Sequence, residues 1–279
     1  MATAGLSLVG FMDQHPAIAH LRHASIPTDP SDAALIAVWN IARGKLGAPI
    51  PKAGNPDIQP IPVSDQVYIQ QLLLSPWVQP IFNGAWAGFT FQLVEIDPLL
   101  AYQFAIDSVR SNHHCGTLNN PPSVSELLPI CLPLNPIPEN FESWHTPQSA
   151  ILKSRGLNLV PFDRGIINGA FMGMSFGPAL PFTHVVRCNG RCYLHNGFHR
   201  ALGARLAGAT HIPCVFRDVP DHISAGIRTD GGTFPVNLLE SSNPPTLGHF
   251  TQGRALDVTI RSVSRVLHVS WADYVIPNE

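Results

Sequence analysis

Charge is scarce in this chain. Asp, Glu, Lys and Arg make up 13% of its 279 residues, against roughly a quarter in ordinary globular domains. The 17 basic residues are balanced by 19 acidic ones. Without a basic excess the chain lacks the surface that neutralises phosphates along nucleic acid. Its five cysteines are odd in number and irregularly spaced, which argues against a disulfide framework and for reduced thiols in the cytoplasm. No apolar run reaches the roughly 20 residues of a membrane span. Met1–Leu6 carries no basic residue, and Asp13 and His15 soon interrupt its apolar run, so no signal peptide is expected there. There is also no Gly-Lys-Ser/Thr loop to hold phosphate and metal together.

What is present is proline, histidine and ordinary apolar content. The 27 prolines predict much irregular, turn-rich surface. The 45% hydrophobic content suffices for a sizeable core. The 13 histidines are candidates for ligands or acid/base groups, although surface or half-buried positions account for most histidines.

Local signals place the elements. Residues 29–44 read as a helix, with Asp29 as cap, Pro30 in the first turn and Gly44 at the exit. Residues 45–62 read as a Pro- and Gly-rich loop, and Ser64–Leu74 as a second helix. Phe89–Ile96, rich in aromatic and β-branched residues, reads as a strand. Asp97-Pro98 then reads as the start of a helix through about Val109, and residues 111–148 as a long excursion with little regular structure. Leu157–Val160 suggests a short strand. Gly165, Gly169, Gly173 and Gly177 recur at every fourth position, as in a closely packed loop or a helix meeting another backbone.

Asn189-Gly190 is a strong two-residue hairpin signal between His184–Cys188 and Arg191–His195. In that hairpin Cys188 opposes Arg191 and Cys192 opposes Arg187, which puts the two cysteines on opposite faces. Gly197–Ala207 reads as a helix ended by Gly208, with Ala201, Leu202, Ala204 and Leu206 buried. His211–Arg217, Asp257–Ile260 and Arg265–Val269 read as strands. The order of elements gives an α+β domain over about 88–279, with an insertion at about 111–155 and a helical, Pro-rich extension over 1–87.

The unit with most chemical content is Asn196-Gly197-Phe198-His199-Arg200. A strand ends, a glycine turns the chain, and a helix begins. Helix N-terminal N–H groups lack internal acceptors and sit at the positive end of the dipole. His199 adds a proton-switchable donor and Arg200 a bidentate anion binder. The arrangement suits a phosphate or carboxylate; equally, an arginine in a first turn can simply pair with a carboxylate of the same chain. His195 and His113-His114-Cys115 have no spacing that completes a metal set, so no metal residues are assigned.

The stretch Asn196–Gly208 followed by Thr210-His211-Ile212-Pro213-Cys214-Val215 resembles the core of the ParB/sulfiredoxin superfamily: Gly-x-His/Arg-Arg, an alanine-rich helix, Gly, then an Ile/Val-Pro strand. Leu93–Pro98, with Leu99 and Gln103, resembles that family's opening strand and first helix. The resemblance implies a small mixed sheet with flanking helices, and nucleotide phosphate at the turn. Asn196, Gly197, His199 and Arg200 would contact phosphate, Arg228 would be a second basic contact, and Glu95 and His199 would be the catalytic groups, with Asp97 as a further base candidate or a plain helix cap. Phe198 stands where sulfiredoxins have their reactive cysteine and where ParB clamps have a glutamate. The second arginine box of the clamps is missing. The small-molecule kinase branch is therefore the closest in motif. It implies a nucleoside di- or triphosphate with Mg2+, a small-molecule acceptor, and phosphoryl transfer or nucleotide hydrolysis. A non-catalytic nucleotide sensor is the alternative, and a DNA-associated relative is disfavoured. Self-association into a homodimer is left open.

Overall fold

The computed structural model describes residues 2–24, 30–79, 82, 88–135, 141–154, 159–167, 171–178, 181–225, 233–261, 265–270 and 272. In chain order the elements are β1 (Ala2–Ser7), α1 (Gln14–Ala24), α2 (Asp32–Gly44), β2 (Ile58–Pro60), α3 (Gln66–Leu74), β3 (Thr90–Glu95), β4 (Ala105–Asp107), α4 (Ser108–Cys115) and α5 (Val124–Cys131). There follow β5 (Phe141–Thr146), β6 (Ser149–Ser154), β7 (Leu159–Ile167), β8 (Phe171–Pro178), β9 (His184–Cys188), β10 (Arg191–Asn196), α6 (Phe198–Leu206) and β11 (His211–Val219). The chain closes with α7 (Val236–Leu239), α8 (Gly248–Thr251), β12 (Leu256–Arg261) and β13 (Arg265–Ser270). The fold is α+β, with several helices and a small mixed sheet.

Packing divides the chain into two units, Met1–Asn135 with Phe182–Arg261, and Pro136–Pro181 with Ser262–Glu279. The boundary expected between residues 87 and 88 falls inside the first unit. There β2 joins the edge of β3, and β1 lies between β12 and β4. These pairings link residues up to 259 positions apart, as Ala2 with Arg261.

In the first unit a five-stranded sheet runs β10-β9-β11-β3-β2. β9 and β11 are parallel and the other neighbours antiparallel. Ile212 to Phe216 of β11 are all buried, as expected of a central strand covered on both faces. The β9–β10 hairpin has the expected register, Cys188 with Arg191 and Arg187 with Cys192. Asn189 and Gly190 take φ of 51° and 74°, the positive values a type I′ turn demands. A separate cluster of Val9, Ala17, Leu21, Leu35, Trp39 and Ala42 joins α1 and α2. Ser31 caps α2 by accepting from the Ala34 N–H at 3.3 Å; the expected cap, Asp29, lies outside the described residues.

The expected helix from Asp97 does not form. Leu99, Leu100 and Ala101 are completely buried, and their backbone bonds run sideways. Leu100 N–H donates to Cys192 O at 3.0 Å and Leu194 N–H to Leu100 O at 3.1 Å, while on the other flank Ala101 N–H donates to Pro245 O and Leu247 N–H to Leu99 O. A helix would have kept those groups internal, so tertiary pairing overrides the local Asp-Pro signal. The helix appears later, as α4, capped by Asp107 accepting from the Arg110 N–H at 2.9 Å. The 111–148 stretch is also more regular than expected. It holds most of α4, then α5 with a reciprocal capping box between Ser123 and Glu126, then β5.

The second unit contains a three-stranded sheet, β13-β6-β5, and a hairpin of β7 and β8. The glycine series lies on that hairpin, with Gly165 opposite Gly173, and so is neither loop nor helix; Gly169 lies outside the described residues. β7 runs to Ile167, beyond the short strand expected at Leu157–Val160, whose first two residues also lie outside the described set.

Candidate functional site

β10 ends at Asn196, and Gly197 turns the chain into α6 with φ 98° and ψ 22°. This left-handed conformation favours glycine. Space demands it too, since a Cβ on Gly197 would lie 2.8 Å from Thr183 Oγ1 and 3.1 Å from Thr183 Cα. Asn196 fixes the turn from both sides. Its Oδ1 accepts from the Gly197 N–H at 2.8 Å, and its Nδ2 donates to Phe182 O at 3.0 Å. The next N–H groups, of Phe198 and His199, open the helix and have no acceptor within it.

Phe198 is buried and anchors the first turn. Its ring meets Tyr102 edge-on at 5.3 Å, and the Tyr102 hydroxyl donates to His195 O at 2.7 Å. Burial pushes that hydroxyl up to about 12, so it stays a donor. His195 packs against the buried His184 with ring centroids 4.9 Å apart, and burial, then His195, lowers His184 to about 2.

Arg200 is buried, and His199 is half-buried. Both face α4, which can approach because α6 has glycine at 203: a Cβ there would lie 2.5 Å from Ser111 O and 2.9 Å from Cys115 Sγ. Across this crossing the basic groups sense one another. Burial first, then Arg110, His114 and Arg200, lower His199 to about 4, with Asp107 opposing. Burial, then Arg200, Arg110 and His113, lower His114 to about 4. Burial also pulls Arg200 below its ordinary value, and Arg110 adds to this. Among the described residues Asp107 is the one carboxylate acting on His199. It is already engaged, accepting from Thr3 Oγ1 at 2.8 Å and from the Arg110 N–H. Among the described residues Arg110, His114, His199 and Arg200 thus lie close enough to act on one another.

Glu95 is not brought to this turn. It accepts from the Asp57 N–H at 3.0 Å and stands opposite His211 in the β3–β11 register. Asp97 is not a helix cap; it binds Arg205 through two bonds of 2.7 and 3.0 Å. Arg205 is in the last turn of α6, about 10 Å along the helix from Phe198 at 1.5 Å per residue. Both acidic candidates thus belong to the far end of α6. Arg228 lies outside the described residues. Leu206, expected in the core, is 48% exposed, because its turn of α6 faces out.

His113-His114-Cys115 forms the last turn of α4. Among the described residues no group of three His, Cys, Asp or Glu could hold a metal ion, and no helix is long and apolar enough to cross a membrane. Sequence reasoning missed Arg110 and weighed His114 only as a metal ligand. Their i, i+4 spacing was a usable signal, but it has meaning only once residues 108–115 are known to be helical. It also missed a cleft of about 690 Å³ walled by α1, Phe104 and the 233–241 segment, which none of the expected site residues lines.

No family model, no curated protein and no solved structure matches this chain.

Proposed function

We propose that the Asn196–Arg200 turn binds the phosphate of a small molecule, a nucleoside di- or triphosphate in the ParB/sulfiredoxin-like reading. The observation that carries this is that Arg110, His114, His199 and Arg200 act on one another where α4 crosses the first turns of α6, with Asp107 acting on His199. A phosphate there would meet first-turn N–H groups, the helix dipole and guanidinium donors together. Asn196 and Gly197 set the turn, and Arg200 supplies permanent charge. His199, neutral at pH 7, is the group able to take a proton. A magnesium ion would be held chiefly by phosphate oxygens and water, because Asp107 is already occupied. The five free cysteines support a reducing, cytoplasmic setting.

Phosphoryl transfer to a small acceptor, or nucleotide hydrolysis, is the reaction this reading implies, with His199 rather than Glu95 beside the phosphate. The placement of Glu95 at the other end of α6 favours a second reading, a nucleotide sensor without turnover. Thermal unfolding with ATP, ADP and CTP tests the shared part. At least one should raise the melting temperature of the wild type, and Arg110→Ala should weaken that shift about tenfold in concentration. If none of the three moves the transition, the phosphate reading fails. Release of ADP or phosphate only on adding an acceptor would separate enzyme from sensor.

A further inference from the structure

The cleft beside α1 is independent of the phosphate reading and has a chemistry of its own. Its floor is aromatic. Phe11 and Phe234 meet edge-to-face at 6.1 Å, Phe104 and Phe234 at 5.9 Å, and His20 and Phe104 at 4.5 Å. Phe234 is buried, whereas Phe11 and Phe104 are half-buried and keep ring surface for a planar guest. The volume, about 690 Å³, is in the range that encloses a small organic molecule.

Charge restricts the guest. Among the described residues the lining includes one carboxylate, Asp13, and neither lysine nor arginine. His20 is neutral at pH 7, held down to about 4 by burial and then by His23, and its Nε2 is already shared with Ser7 Oγ at 3.2 Å. An anionic guest would meet neither lysine nor arginine in this lining and a carboxylate that repels it. The nucleotide proposed for the α6 turn is therefore disfavoured in the cleft.

We infer that the cleft is a binding site for an uncharged, ring-bearing small molecule that stacks on Phe11 and Phe104. N-phenyl-1-naphthylamine, neutral and ring-bearing, is a suitable probe. Its fluorescence should rise saturably at one equivalent per chain. Ala19 lines the cleft from an exposed position on α1, so Ala19→Trp fills the space without touching the core. It should weaken binding at least tenfold at an unchanged melting temperature. Should that variant be unstable, Asn237→Trp, also exposed and on the opposite side of the lining, gives the same readout. The absence of a saturable rise overturns the proposal, as does equal affinity in a folded tryptophan variant. Equal or tighter binding of the sulfonated, anionic analogue overturns it as well, because the charge argument would then be wrong.

Discussion

Replacing Gly203 by alanine should separate two forces that usually act together. Gly203 is in the middle of α6, where alanine is favoured over glycine by about 1 kcal/mol. Against this, the new Cβ would lie 2.5 Å from Ser111 O, 2.9 Å from Cys115 Sγ and 3.0 Å from Cys115 Cβ. The nearest atom is a backbone oxygen of α4, so no side-chain rotation relieves the overlap. Normal contacts between carbon atoms begin near 3.5 Å, so α4 must retreat by roughly 1 Å. Overpacking costs about 1–3 kcal/mol; because the obstacle is backbone, the upper part of that range, about 2–3 kcal/mol, applies, and the net loss should be about 1–2 kcal/mol after the propensity gain of about 1 kcal/mol. With a urea m-value of about 3 kcal/mol/M, the midpoint falls by about half a molar. Gly44 is the control. It ends α2 with nothing within 4 Å of a Cβ, so Gly44→Ala should leave the midpoint unchanged or raise it slightly. The retreat of α4 also carries Arg110 and His114 away from His199 and Arg200, so nucleotide-induced stabilisation should weaken in Gly203→Ala. A midpoint at or above wild type for Gly203→Ala would refute the close crossing of α4 and α6.

Acid should unfold the protein earlier than its carboxylates require. Burial holds His20, His114, His199 and His249 to about 4 and His184 to about 2 in the folded chain, whereas unfolded histidine titrates near about 6.5. Between those values the unfolded chain binds more protons, so stability is full above about pH 6.5 and is lost as pH falls toward 4. A urea midpoint that stays flat from pH 7.5 to 4.5 would contradict this. The thiols give a separate check. All five cysteines are free and buried, and burial pushes Cys115 up to about 11 and Cys131 and Cys192 up to about 12. Disulfide-exchange reagents should therefore label none in the native protein within minutes and all five in urea; rapid native labelling of even one would count against the packing around α5, β9, β10 and β11.

What could be read from the sequence was local. Asn189-Gly190 set both the turn and the register of β9–β10, because a two-residue loop fixes pairing by its own geometry. Gly197 and Gly208 marked the two ends of α6, and both take positive φ. Asp97-Pro98 misled, because the cap it offers is outweighed by the burial of Leu99–Ala101 and by backbone bonds to residues nearly a hundred and about one hundred and fifty positions away. The pairing of β1 with β12 left no local trace, since each strand alone fits several partners. The turn at Gly197 was visible, but its setting was not. Arg110 and His114 reach it only through the α4–α6 crossing, and Asp97 and Glu95 are removed from it by the length of α6. The aromatic cleft was invisible for a similar reason, as its rings come singly from residues 11, 104 and 234.

The central claim is that phosphate is held at the start of α6. Amide chemical-shift mapping tests it most directly, by titrating ATP, CTP and inorganic pyrophosphate into isotope-labelled protein. The account predicts saturable shifts concentrated on Gly197, Phe198, His199 and Arg200, with Arg110 and His114 of α4 following, and their loss in a folded Arg110→Ala variant. Shifts confined to other parts of the chain, or none with any of the three ligands, would contradict it.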